Sequence, residues 1–299
     1  MKKLFIIFVL FLITTLNVQA KVSDKTQIRQ LLNDLNKYSN THNIDAIKKF
    51  YSKDYISFDG FNYDAFFVSI DETFKSYPDI SYKSKIKSIN IFGDYAAVEM
   101  SDKSTSEKQT TTQAIVENKP VLNNELNGIM ESKSHYITYL KKSGNKWLIY
   151  SDSIIAEETS VKYGTALDVD MKISSPLSVN EGEEYCIKLN VPSKPKGSIM
   201  LASISREEIK YPPNIPSDIF RKVPSDGILE RVVTSNKNGM NEYSLASVGL
   251  TEISLNEEKT AINYRMSGIA FLMKRVNVNP IKNAADKEYI KKQLNKEPL

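Results

Sequence analysis

The stretch NIDAIKKFYSKDYISFDG, residues 43–60, combines a short helix, a strand and a sharp turn. Apolar residues recur at helical spacing over 44–50, which predicts one turn or two of helix. Residues 55–58 then alternate as a brief strand, and Asp59 with Gly60 forms a common turn pair. This segment therefore links helical and extended structure within one domain.

Longer helices flank this segment, and strands follow them. Residues 27–38 and 63–77 have apolar positions at helical spacing, and Pro78 ends the second pattern. From residue 82 the pattern has a period of two, which predicts antiparallel strands at 82–91, 95–103, 134–140 and 147–157. Helices followed by such strands favour an α+β domain whose sheet curls over the helices.

The polar stretch 104–132 lies between the second and third of these strands. It is longer than an ordinary hairpin loop, so it is either an extension of the hairpin or a functional flap.

The second half of the chain shows only strand and turn patterns. Turns containing Pro, Gly or Asn separate the predicted strands 167–173, 185–191, 198–205, 228–233, 242–248 and 262–278. Short strands with this punctuation favour a β-sandwich. We therefore divide the chain into residues 1–20, 21–163, 167–279 and a charged tail, 280–299.

The N-terminus has the pattern of a signal peptide. Lys2 and Lys3 precede the apolar run 4–13, and small residues up to Ala20 fit cleavage before Lys21. The run is shorter than the roughly 20 residues that span a bilayer, although an uncleaved anchor is the alternative. We expect export to the periplasm or the extracellular space.

The composition argues against several classes of partner. A net charge of +4 gives no reason to expect nucleic acid. One cysteine and two histidines argue against a disulfide framework and a Cys/His zinc site, and we find no Gly-rich phosphate loop. We expect no cofactor and no metal, and we expect Cys186, between Tyr185 and Ile187 in an alternating pattern, to be buried and inert.

The order of elements resembles the nuclear transport factor 2-like superfamily, which includes ketosteroid isomerases and SnoaL-like polyketide cyclases. The resemblance covers residues 25–162 and rests on the segment 43–60 and on GNKWLIYSD, residues 144–152, which is similar to the closing strand of that superfamily. It implies a cone, in which a curved sheet wraps around helices and opens into an apolar pocket. Residues 175–185 resemble the opening of immunoglobulin-like modules, and the whole layout resembles uncharacterised exported bacterial proteins.

The isomerase comparison implies a catalytic role for Asp59, which stands where those enzymes hold their general base. The tyrosine that donates to the enolate oxygen in the isomerases is replaced here by Leu35, although Tyr38 lies one turn further on. His135, oriented by Asp152 on an adjacent strand, could assist. The alternative is structural, because an Asp in a turn is more often a backbone acceptor than a base, and a lone strand histidine is usually only hydrogen-bonded.

Aromatic residues are concentrated between positions 51 and 67, with seven in 17 residues. An aromatic wall suits an apolar or ring-bearing ligand, although some of these side chains must fill the core. The candidate ligand-binding residues are Tyr38, Tyr51, Tyr55, Phe58, Tyr63, Phe67 and Trp147. Trp147 is also suited to be a core anchor.

Three functions remain open from the sequence. The first, which we favour, is an exported non-catalytic protein: its cone binds a small apolar or aromatic ligand or a peptide, and its β-sandwich contacts an envelope or extracellular protein. The second is an isomerase or cyclase that uses Asp59 as a base with His135 and Asp152. The third is a structural envelope module whose cone is filled by its own side chains. A homodimer is expected from the superfamily, which commonly pairs through its sheet face.

Overall fold

The computed structural model describes residues 23–116, 119–193, 195, 197–210, 219–255, 259 and 262–280. The predicted signal peptide, 1–20, and the predicted tail from residue 281 onward lie outside these residues. The described chain is mostly antiparallel sheet with few helices. Among the described helices, none has the length and apolarity that crossing a bilayer requires.

The helices all lie in the first half of the described chain, apart from one later 3₁₀ turn. They are α1 (Asp24–Asn40), α2 (Ile44–Ile47) and α3 (Tyr63–Ser76), with 3₁₀ turns at Lys48–Phe50 and Thr165–Asp168. Each α-helix begins at a side-chain cap, because Ser23, Asn43 and Asn62 accept hydrogen bonds from backbone N–H groups of the first turn. The predicted helices are therefore confirmed to within a few residues.

Two long hairpins follow the helices. Their strands are β1 (Ser81–Phe92), β2 (Tyr95–Val116), β3 (Lys119–Ser143) and β4 (Lys146–Gly164). The pairing of β2 with β3 continues from Tyr95 and Lys141 to Val116 and Lys119, so the polar stretch 104–132 extends the hairpin. The helices pack with these strands into one helix-sheet core, which includes Ile28, Leu32, Ile47, Phe67, Val98 and Leu140.

The later strands are shorter, apart from the final pair. They are β5 (Lys172–Ser174), β6 (Ser178–Asn180), β7 (Glu184–Asn190), β8 (Ser198–Glu208), β9 (Arg221–Lys222), β10 (Ile228–Thr234), β11 (Glu242–Leu255) and β12 (Ile262–Asn279). The predicted strand 167–173 is wrong over most of its length. Its first residues belong to the 3₁₀ turn Thr165–Asp168, where Val169 N–H donates to Ala166 C=O at 3.3 Å.

One sheet runs through both halves of the molecule. Its path is β1-β2-β3-β4-β12-β11-β8-β9, and β6 pairs with β12 outside that path. The link is the pairing of β4 with β12, from Gly164 opposite Gly268 to Glu158 opposite Lys274. Backbone hydrogen bonds therefore join the two predicted domains across the predicted boundary at residues 163–167.

A second sheet, β10-β7-β5, covers the later part of the first. The two layers share a β core that includes Ile187, Leu189, Ile204, Val248 and Leu272. The fully buried Glu242 also ties them together, because Tyr185 of the small sheet donates to it at 3.0 Å and Arg206 of the large sheet pairs with it. The immunoglobulin-like character of this region stays a prediction.

The alternation of β7 corrects the prediction for the cysteine. Tyr185, Ile187 and Leu189 are buried, and Cys186 is exposed as a free thiol. Successive side chains of a strand point to opposite faces, so the apolar neighbours that suggested burial in fact place Cys186 outside.

Candidate functional site

Asp59, the residue suggested as a base, lies in a buried ion pair with the second half of the chain. Arg275 of β12 contacts both of its carboxylate oxygens, Nη1 to Oδ2 at 3.0 Å and Nη2 to Oδ1 at 2.6 Å. Asn241 donates to the same Oδ1 at 2.7 Å. The exposed fractions of the two charged side chains are 7% for Asp59 and 1% for Arg275. Both oxygens are thus occupied, which makes this carboxylate a poor acceptor for a substrate proton.

Asn277, two residues further along β12, supports Arg275. It accepts from Arg275 Nε at 2.8 Å and donates to the carbonyl of Ile155 on β4 at 2.7 Å. Burial lowers the pKa of Arg275, but the hydrogen bonds and charge of Asp59 outweigh it and hold that pKa above its ordinary value. The guanidinium is therefore a permanent charge fixed between the two halves.

Asp152 lies on β4, close to this ion pair, and its Oδ2 accepts a short hydrogen bond from Tyr55. Burial raises the pKa of Asp152, the bond from Tyr55 lowers it, and the charge of Asp59 raises it further. Glu157, further along β4, accepts from Tyr243 at 2.8 Å, and burial likewise raises its pKa. These two carboxyl groups bind their protons more firmly than exposed ones do.

His135 does not meet Asp152. Its Nε2 lies 2.8 Å from Glu99 Oε1 on β2, and in the β3–β4 register His135 stands opposite Ala156, whereas Asp152 stands opposite Thr138. The predicted dyad of His135 and Asp152 is therefore wrong, because the strand pairing places His135 next to Glu99 instead. The pKa of Glu99 is lowered, chiefly by the hydrogen bond with His135.

A cavity of about 220 Å³ lies on the side of the helix-sheet core nearest to α1, and we call it the helix-side cavity. Apolar and aromatic side chains form most of its wall, and they include Leu35, Tyr51, Phe66, Phe74, Tyr82 and Met100. The polar exceptions include Asp102 of β2 and Tyr136 of β3. Tyr136 donates to Asp102 Oδ2 at 2.8 Å.

The second carboxylate oxygen of Asp102, Oδ1, differs from Oδ2 in its hydrogen bonding. Oδ1 is buried and has no hydrogen-bond partner among the described residues. The nearby Ser84 hydroxyl donates to Asn36 at 3.0 Å. Burial raises the pKa of Asp102, the hydrogen bond from Tyr136 lowers it, and the nearby hydroxyl of Ser84, which is directed at Asn36, lowers it further. A buried acceptor without a partner is destabilising unless something supplies a donor.

A larger cavity, about 530 Å³, lies where the two halves meet, and we call it the junction cavity. Its wall comes from the region of α3, from β4 and from β8, β11 and β12. Phe66 lines both cavities, so the two are neighbours. Asp59 and Asp152 both line the junction cavity.

The predicted ligand-binding aromatics are spread over several places. Tyr51 lines the helix-side cavity, and Tyr55 is buried in the helix-sheet core. Tyr63 and Phe67 belong to the same core and also line a broad groove of about 1040 Å³ between residues 41–48 and α3. Tyr51, Tyr55, Phe66 and Phe67 are in mutual ring contact, with centroids 4.8 to 5.4 Å apart in the contacts among them. Much of the predicted aromatic wall therefore packs against itself.

The remaining three predicted ligand-binding residues lie away from both cavities, and two of them, Tyr38 and Trp147, line a third cavity of about 400 Å³. Tyr38 packs on Phe50 with ring centroids 6.0 Å apart. Phe58 is 66% exposed and stacks on Tyr139. Trp147 is buried and donates to Asp24 at 3.2 Å, as a core anchor does.

The sequence analysis missed Asp102, Tyr136 and Arg275. Asp102 and Tyr136 are an acid and a phenol within predicted strands, and only the pairing of β2 with β3 shows that they meet. Arg275 lies 216 residues from Asp59 in the chain, and no local pattern marks that pairing. Within the described ranges, no three His, Cys, Asp or Glu side chains are grouped closely enough to hold a metal ion.

Comparisons with known proteins give only partial likenesses. No protein-family model matches the chain, and no curated protein matches it. Solved structures similar to part of it include Bd1075 of Bdellovibrio bacteriovorus, at 14% identity and a TM-score of 0.33. That match covers 42% of this chain and 38% of that one.

For two other similar structures, the match extends over nearly the whole length of the solved chain. A conserved protein from Planctomyces limnophilus matches at 11% identity and a TM-score of 0.33, over 43% of this chain and 92% of its own. A proposed dehydratase of the nuclear transport factor 2-like family from Streptomyces avermitilis matches at 8% identity and a TM-score of 0.30, over 44% and 94%. Structural neighbours of this chain thus include nuclear transport factor 2-like proteins over less than half its length, and at these scores the likeness carries no argument about activity.

Proposed function

We propose that the protein is an exported, non-catalytic binding protein whose helix-side cavity takes a small aromatic molecule carrying a hydroxyl group. The observation that carries this proposal is the buried Asp102 Oδ1, which has no hydrogen-bond partner among the described residues. A ligand hydroxyl would supply the missing donor.

The size of the cavity supports a ligand with a single ring. An apolar cavity of about 150 Å³ is enough to bind benzene in another protein. The helix-side cavity, at about 220 Å³, has room for one ring and a small substituent. Its aromatic and aliphatic wall suits the ring, and the pair formed by Asp102 and Tyr136 suits a polar substituent.

The surroundings of Asp59 support a role without catalysis. A general base needs a free oxygen within reach of the substrate proton, whereas Arg275 and Asn241 hold both oxygens of Asp59. His135 is paired with Glu99. The sequence-based rival, an enzyme that combines Asp59 with His135 and Asp152, thus lacks the arrangement it needs.

One observation favours a different enzyme as the second candidate. Asp102 has a raised pKa and a phenol beside it, and a protonated carboxyl group can act as a general acid on a bound ligand. Such an enzyme would convert the ligand, so product analysis after incubation separates it from a binding protein.

The experiment that tests the proposal compares phenol, which has a hydroxyl donor, with anisole, which has only an acceptor at that position. Calorimetric titration should show phenol binding more tightly to the wild type. Asp102→Asn can keep the bond from Tyr136 at its carbonyl oxygen and turn an N–H₂ donor to the cavity, which the oxygens of phenol and anisole can both accept, so the preference for phenol should fall by about tenfold. Asp94→Asn, in an exposed turn, is the matched control and should bind as the wild type does.

Two results would contradict the proposal. One is equal binding of phenol and anisole by the wild type, and the other is an unchanged preference in Asp102→Asn. Export is tested separately by measuring the intact mass of the protein from the exported fraction. That mass should match a chain that begins at Lys21. The expected envelope partner and the homodimer stay predictions.

A further inference from the structure

The junction cavity exists only because the second half of the chain closes over the first. Phe61, Phe66 and Ile154 come from the first half, and Leu245 and Met273 come from β11 and β12. At about 530 Å³ the space lies within the range of small-molecule sites. It therefore differs from the helix-side cavity both in location and in the elements that build it.

Asp152 supplies a carboxyl group to the wall of this cavity. Asp152 uses Oδ2 to accept from Tyr55, and no described residue hydrogen-bonds to its Oδ1. Burial raises the pKa of Asp152 and the charge of Asp59 raises it further, whereas the hydrogen bond from Tyr55 and the charge of Arg275 lower it. A positive charge placed against Oδ1 would complete an ion pair in a largely apolar setting.

The other charges around the cavity leave this position open to a cation. Arg275 is already hydrogen-bonded to Asp59 and Asn277, so its charge is paired with Asp59 within the wall. Lys210 is exposed at the rim. Three glutamates share that rim with it: Glu72, Glu207 and Glu208. The charged groups of the rim thus favour the approach of a positively charged ligand.

We propose that the junction cavity is a second binding site, for an organic amine with an apolar body. The ammonium group pairs with Asp152 Oδ1, and the apolar body packs on Phe61, Leu245 and Met273. This inference does not rest on the function proposed above, because the two sites use different acids and different ligand chemistry.

The experiment uses naphthylmethylamine and its neutral analogue naphthylmethanol, which share one apolar body and differ in charge. Two fused rings with a side chain need more room than the helix-side cavity offers. Calorimetric titration of the full chain should show the amine binding at least about tenfold more tightly than the alcohol. An excess of phenol should not displace the amine.

Two variants locate the site. Asp152→Asn keeps the shape of the side chain and should remove the preference for the amine, while Asp94→Asn should keep it. Met273→Trp fills the cavity and should weaken both naphthyl compounds, and it tests the site even if Asp152→Asn fails to fold. Circular dichroism and thermal melting check the folding of each variant.

The proposal is overturned if the wild type binds amine and alcohol equally. It is also overturned if folded Asp152→Asn keeps the preference, or if Met273→Trp binds both compounds as the wild type does. Displacement of the amine by phenol would place it in the helix-side cavity and would likewise reject a second site. Loss of phenol selectivity in Asp102→Asn with amine binding intact would support both sites independently.

Discussion

Neutralising Asp59 should destabilise the protein strongly, because it leaves Arg275 buried without a counterion. The substitution Asp59→Asn keeps the size of the side chain and removes its charge. It also replaces one oxygen, which accepts from Arg275 at 3.0 or 2.6 Å, by an N–H₂ group that faces donors. Asn241 then competes with Arg275 for the remaining oxygen.

The magnitude follows from burial. With 1% of the Arg275 side chain and 7% of the Asp59 side chain exposed, solvent cannot compensate the loss. Breaking a buried ion pair by removing one partner typically lowers the free energy of unfolding by about 3–5 kcal/mol. Glu131→Gln is a matched control, since it breaks the ion pair with Lys103. In that pair the side chain of Glu131 is 49% exposed and that of Lys103 is 47% exposed. Such an exposed pair contributes about 0–1 kcal/mol.

A nearby carboxyl group makes the effect depend on pH. Glu157 senses the charge of Arg275, and its pKa is raised, chiefly by burial. Once Asp59 is neutral, ionised Glu157 is left to balance the guanidinium, and it ionises only as the pH rises through its pKa. The destabilisation by Asp59→Asn should therefore be smaller at pH 8 than at pH 5.

Urea unfolding followed by circular dichroism measures the free energy of unfolding for each variant. The double variant Asp59→Asn with Arg275→Gln removes both charges and should recover part of the loss. A decrease below about 1 kcal/mol for Asp59→Asn, equal to that of Glu131→Gln, would refute the reasoning. It would also restore Asp59 as a candidate base, which can lose its charge without harm to the fold.

Two further predictions concern the same junction. Glu157→Gln should gain stability relative to the wild type as the pH rises. The raised pKa of Glu157 gives the wild type a contribution to stability that is fully present below the unfolded pKa and is lost as the pH passes the folded pKa. Equal differences in urea midpoint at pH 4.5 and pH 8 would contradict this. Gly164→Ala should lower the melting temperature far more than Gly144→Ala. Both glycines have positive φ, but a Cβ at Gly164 would lie 2.2 Å from Ser267 O, whereas a Cβ at Gly144 would meet open space. Similar melting temperatures for the two variants would count against the close approach of β4 to β12.

Local patterns predicted those elements whose stability is itself local. The caps at Ser23, Asn43 and Asn62 and the helical spacing that follows them sufficed to locate the helices. Alternation located β1 to β4, but it missed the full length of the β2–β3 hairpin. Residues 104–132 are largely polar, so no alternation of apolar side chains marks them as strand, and their pairing depends on the hairpin register already set nearer to its base.

The candidate site could be predicted only in part, because its polar contacts depend on register and on distant segments. Asp59 was singled out from the sequence, but its partner lies on β12. His135 and Asp152 lie on adjacent strands, and a bulge between His135 and Tyr136 shifts the pairing on the way to Asp152. A sequence can place residues on neighbouring strands without stating which of them face each other.

The pairing of β4 with β12 changes what the first half of the chain can do. It carries Arg275 to the carboxyl group that the superfamily resemblance would make a base, and it places Asn277 against the backbone of β4. Asp59 is thereby used to fix the two halves together, while Asp102 and Asp152 each have one oxygen that accepts no hydrogen bond from the described residues. If the second half were absent, Asp59 would lose its counterion and the junction cavity would lose half its wall. The second half is therefore a part of the proposed binding apparatus, and any function assigned to the first half alone would rest on a different set of free carboxyl groups.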